Sequence, residues 1–139
     1  MSSSAIRIIM GIVILLHGIG HFMGVLAVLG IKISPNHSTH SWLLSGLLPK
    51  NILGLVCLLF SVAAILLFLT AGFGIFDWFD LQPYWQKLAL YAAVISLAGL
   101  ILFWNSFPFL FPNKIGVIII DLLSIVSIVW MKWPQELFG

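Results

Sequence analysis

AIRIIMGIVILLHGIGHFMGVLAVLG, residues 5–30, decides the class of this chain. The run exceeds the roughly 20 apolar residues a helix needs to cross a hydrocarbon core. Its one formal charge is Arg7, yet it carries two imidazoles, His17 and His21, four residues apart among glycines. Three more apolar runs follow, at 52–76, 87–107 and 113–131. Backbone at membrane depth must satisfy its own hydrogen bonds, so each run is expected to be helical. The expected fold is all-α: a polytopic membrane protein, one four-transmembrane-helix bundle spanning residues 1–139.

Composition agrees. The 139 residues are 62% hydrophobic and 7% charged, with a mean hydropathy of +1.20. Soluble domains carry roughly 25% charged residues, so this chain lacks the means to cover a water-facing surface. A scattered net charge of +2 excludes a nucleic-acid surface. Cys57 is the one cysteine, which excludes an intrachain disulfide and any Cys-x-x-Cys motif. The first apolar run outlasts a signal peptide's core of roughly 7–15 residues and ends in no A-x-A site, so it reads as a retained span.

Turn residues fall between the runs. SPNHSTH (34–40) and Pro49 separate the first two, Asp77, Asp80 and Pro83 the next, and Pro108 and Pro112 the last. Within the first connection, THSWLLSGLL (39–48) reads as a short interfacial amphipathic helix. WFDLQPYW (78–85) and WMKW (130–133) read as aromatic belts at the headgroup level. Arg7, Lys87 and Lys132 fall on one face of the membrane, and Lys32, Lys50 and Lys114 on the other. The positive-inside rule therefore returns a tie. An even number of spans places both termini on one side. The expected location is a multi-pass position in a membrane, the prokaryotic cytoplasmic membrane.

On a helical wheel His17 and His21 lie about 40° apart. Gly20, Gly24 and Ala27 flank them, while Ile8, Ile12, Leu15, Ile19, Phe22 and Leu26 take the other side. Small residues let a neighbouring helix approach, with Gly20 and Gly24 forming a G-x-x-x-G pair. This face is expected to turn inward. Asp121, near the middle of IGVIIIDLLSIVSIV, needs a partner or a proton at such depth. It shares that depth with His17. The second run adds a small face of Gly54, Cys57, Ser61, Ala64 and Gly72, and the third aligns Tyr91, Ala98 and Asn105 at heptad spacing. The expected interior is a polar cavity built from His17, His21, Asp121, Tyr91, Cys57 and Ser61.

Each member also has a purely structural reading, as interhelical hydrogen-bonding or, for Cys57, as a small buried hydrophobe. An i, i+4 histidine pair can hold a metal from one side, but no third ligand or general-base Glu lies on this helix, which excludes a metalloprotease. His37 and His40 reach the pair only if their loop folds inward. One haem cannot take both axial ligands from one side of one helix, and no other span carries a histidine, which leaves only a five-coordinate haem open. No Ser-His-Asp, Walker or Gly-x-Gly-x-x-Gly pattern is present.

Arg7, Gly11, Gly18 and His21 in RIIMGIVILLHGIGHFMG (7–24) resemble the opening helix of DoxX-like small membrane proteins. The resemblance covers the first helix and the number of spans. It implies a four-helix membrane architecture and, for some members, association with quinone-linked sulfur or thiol oxidation. The cysteines of the redox branches have no counterpart here. Three readings stay open. One is a module binding a lipophilic small molecule such as a quinone, in a redox-associated role. Another is an accessory subunit, with a membrane-protein partner or a second copy and a polar interior that only holds helices together. The third is a small proton-coupled transporter. Membrane lipid is a partner in all three, and nothing selects an enzymatic activity.

Overall fold

The computed structural model describes residues 2–132. Four helical stretches, Ser3–Val28, Lys50–Ile75, Gln82–Leu102 and Leu110–Trp130, are long and apolar enough to cross a membrane. They are built from α1 (Ser3–Gly20), α2 (Phe22–Val28), α3 (Lys50–Ile75), α4 (Trp85–Leu102) and α5 (Ile115–Ile125), and no strand occurs among the described residues. The aromatic belt expected at 130–133 ends in Trp133, outside the described residues, as does the C-terminus.

Local chemistry sets the helix ends. The Ser2 hydroxyl accepts from the Ala5 N–H and caps α1. Gly30 adopts φ 75°, so Ile31 N–H can turn back to the Leu26 carbonyl at 2.9 Å and close α2. The Arg7 guanidinium donates to the Ile75 carbonyl at 2.5 Å, placing positive charge at the negative end of α3.

Two boundaries differ from the sequence reading: the third span, expected at 87–107, runs Gln82–Leu102, and the first is broken. The first span is interrupted at His21, whose N–H bonds back three residues to Gly18, while Gly24 N–H does the same to His21. Glycines flanking His21 make this tightened turn cheap. The expected interfacial helix at 39–48 is absent as well: residues 42–47 form turns, with the Ser41 and Ser45 hydroxyls accepting from the Leu44 and Ser41 N–H groups. Such local serine bonds compete with helix.

Helix α3 is the hub, packing against α1 and α2 on one side and α4 on the other, and α5 packs on α4. Fully buried Ala64, Ala71, Ala92 and Ala93 let α3 and α4 close together. Glycine does the same for α1 and α2. A Cβ on Gly18 would lie 2.8 Å from Phe68 Cβ, and one on Gly24 2.0 Å from Ser61 Oγ. The Gly20–Gly24 pair is not the contact, because a Cβ on Gly20 would meet nothing within 4 Å. Leu15, expected on the outer side, instead fits against Gly72. Leu16, Leu59, Leu66, Ile101 and Leu123 face outward, a surface suited to acyl chains.

The backbones of α1 and α5 scarcely approach each other. The bundle therefore runs first span, second, third, fourth, with a seam left open between first and last. Ile9 and Met10 of the first span share that seam with Ser127 and Ile128 of the fourth, so the start of one and the end of the other lie on one side.

Candidate functional site: a buried His-Asp-Ser-His chain

At mid-height the open seam is bridged by side chains. His17 Nε2 lies 2.7 Å from Asp121 Oδ1. The other carboxylate oxygen accepts from Ser96 Oγ, and Ser96 Oγ lies 2.9 Å from His21 Nε2. The order is His17, Asp121, Ser96, His21, drawn from three spans. Asp121 is 0% exposed, Ser96 1%, His21 2% and His17 7%. Burial without partners would cost several kcal/mol per ionisable group; here each group has one.

The helices dictate this arrangement. His17 and His21, one turn apart, project to one side, with ring centroids 5.3 Å apart at 86°. Phe68 of α3 stands against both, 4.6 Å from His17 and stacked on His21 at 5.9 Å. Gly18 allows Phe68 to come so close. Phe107 meets His21 edge-on at 5.4 Å. The aromatic walls leave the imidazoles few polar neighbours, which concentrates their bonding on Asp121 and Ser96.

One nitrogen of each histidine is uncommitted. Nδ1 of His17 and Nδ1 of His21 have no hydrogen-bond partner among the described residues. No fully enclosed polar side-chain atom there lacks a partner, so neither nitrogen is fully enclosed. His17 lines a groove of about 480 Å³ between the first and fourth spans, walled also by Val13, Gly20, Gly116, Val117 and Ile120. Val13 and Ile120 also border an apolar groove of about 280 Å³ further along the seam, floored by Ile14, Trp85 and Ala89. The two grooves form one cleft, with His17 on its wall.

The other expected members are placed differently. Cys57 and Ser61 are buried beside His21 rather than in the chain; with His21 and Ser96 they line a small cavity. Ser61 Oγ donates to the Cys57 carbonyl at 2.8 Å. Tyr91 is not in the site. It is 58% exposed on the outer face of α4, because Ala89, Ala92, Ala93, Ser96 and Gly99 are the buried line of that helix. Ala98 and Asn105 are likewise only half-buried. Ser96 went unrecognised although it is the one serine or threonine in 85–102 and continues that stripe of small residues.

His37 folds inward but not to the pair. Its Nε2 lies 3.0 Å from the Met23 and Ser106 carbonyls, and its Nδ1 accepts from the Ile33 N–H. It pins the first connection to the ends of two spans. His40 stays exposed. No group of three or more His, Cys, Asp or Glu among the described residues is arranged to hold a metal ion. His17 and His21 each commit Nε2 to a neighbour.

Compared with protein-family models, curated proteins and solved structures, the chain has no match. The reading of the site therefore rests on its own geometry.

Proposed function

We propose that the protein sits in a bilayer as four spanning helices and binds a lipophilic small molecule, of the quinone class, in the cleft between its first and fourth spans. The observation that carries this is His17 on the wall of the cleft, with Nε2 held by Asp121 and Nδ1 without a partner among the described residues. Neutral imidazole offers one donor and one acceptor. With the proton on Nε2, pointing at Asp121, Nδ1 accepts from a hydroxyl. With the carboxyl donating to Nε2, Nδ1–H donates to a carbonyl. Passing the Nε2 proton to Asp121 while Nδ1 gains another thus switches His17 between matching the quinol and the quinone form of one head group. The apolar groove beyond Val13 and Ile120 suits its tail, and the seam opens toward the lipid from which such a molecule arrives.

The break at His21 gives a second reading, a small proton-coupled carrier, its one structural feature, since interrupted helices mark many transporter sites.

The test is lipid extraction of the detergent-purified protein with mass spectrometry, followed by calorimetric titration with a short-tailed quinone. Ile120→Trp, which fills the waist of the cleft, is expected to weaken binding about tenfold or more, equivalent to about 1.4 kcal/mol. Leu59→Trp on the outer surface should leave it unchanged. No quinone binding by the wild type, or equal affinity in Ile120→Trp, overturns the proposal. Uptake of the probe into liposomes would select the carrier reading.

A further inference from the structure

We propose that His21, Ser96, Asp121 and His17 form a proton wire joining a water-sized interior cavity beside His21 to the cleft at His17. The cavity, about 10 Å³, is lined by His21, Cys57, Ser61, Ser96 and Ser106 among others. That is room for about one water molecule. The Ser61 hydroxyl spends its hydrogen on the Cys57 carbonyl and Ser106 spends its own on the Phe103 carbonyl at 2.7 Å. Both therefore turn lone pairs to the cavity. His21, whose Nδ1 has no partner among the described residues, lines the same space. Two serine oxygens that have spent their own hydrogens, in an otherwise largely apolar wall, suit a molecule with two O–H donors, which is water.

Every group between cavity and cleft can receive a proton on one side and release one on the other. In one polarity all hydrogens point to the cleft. His21 Nε2–H donates to Ser96, Ser96 to Asp121 Oδ2, protonated Oδ1 to His17 Nε2, and His17 Nδ1–H to the cleft. A proton relayed to His21 Nδ1 by the cavity water, which gains one proton as it gives one up, shifts each hydrogen one step, and the proton on His17 Nδ1 leaves. Four hydrogen-bonded groups keep their total charge, and one proton enters for one released. In the resulting polarity, His17 Nε2–H donates to Asp121 and Nδ1 is an acceptor. These are the two states in which His17 meets a carbonyl or a hydroxyl. The wire rests on the ligand-binding reading only for what takes up the proton.

Hydrogen–deuterium exchange at the His17 ring N–H, followed by solid-state NMR of nitrogen-15-labelled, ligand-free protein in lipid nanodiscs, tests the wire alone. Ser96→Ala leaves the His17–Asp121 contact and removes the link to His21; exchange is expected to slow about tenfold or more. Ser96→Thr, which keeps the hydroxyl, should restore it. Cys57→Val fills the cavity while leaving all four wire residues in place, and should slow exchange too. Wild-type rates in Ser96→Ala, or in Cys57→Val, overturn the wire. Should Ser96→Ala fail to fold, Cys57→Val decides. Because no ligand is added, failure of quinone binding and failure of the wire are separate results.

Discussion

Asp121→Ala is expected to be the most damaging truncation in the site, because it strands two buried partners at once. His17 Nε2 and Ser96 Oγ both lose their bond to the carboxylate. Each unsatisfied buried group costs about 1–3 kcal/mol, so a loss of about 2–5 kcal/mol follows. His17→Ala leaves Asp121 without its imidazole and should cost about as much as stranding one charged group. The double variant removes both sides of that contact, so its loss should fall short of the sum of the singles by about 0.5–3 kcal/mol. Melting temperatures of the four proteins in one detergent measure the coupling. Strict additivity would show that the bridge across the seam contributes nothing as a pair.

The second large effect concerns glycine. Gly18→Leu places a side chain where even a Cβ would come within 2.8 Å of Phe68 Cβ. Phe68 is fully buried and touches both imidazoles. It has nowhere to go, so α1 must lift from α3. Overpacking of this kind costs about 1–3 kcal/mol, often more where backbone must move. The same displacement should loosen the His17–Asp121 contact and weaken ligand binding with it. Gly20→Ala, two residues on, meets open space and ends a helix in which alanine is favoured by up to about 1 kcal/mol. It should be neutral or mildly stabilising. Thermal melts of the two variants compare them directly; equal damage would mean that the inward face of α1 is wrongly placed.

The four spans were legible because a run of some 20 apolar residues has few alternatives. The inward direction of His17, His21 and Gly24 followed from the cost of burying imidazole against lipid. Period alone could not rank the glycines. Gly11, Gly18 and Gly24 make the close approaches, and which glycine does so depends on where Phe68, Phe76 and Ser61 stand on other elements. The third span misled for a related reason. Tyr91, Ala98 and Asn105 share a heptad line, but a uniformly apolar helix carries almost no amphipathic signal, and the largest polar side chains drew the eye. The small-residue stripe from Ala89 to Gly99 was the better guide, and it carried Ser96. The break at His21 and the turns replacing the helix at 39–48 arise from local hydrogen bonds that hydropathy does not see. The open seam is a property of packing between the first and last spans, and no segment of sequence records it.

The most direct measurement is the nitrogen-15 resonance of His17 in nanodiscs, recorded while a short-tailed quinone is titrated in. Binding at the cleft predicts a saturable shift of the His17 Nδ1 signal, with the His37 signals, held by backbone groups in the first connection, unmoved. A His17 Nδ1 signal that stays fixed while the quinone binds would contradict the site.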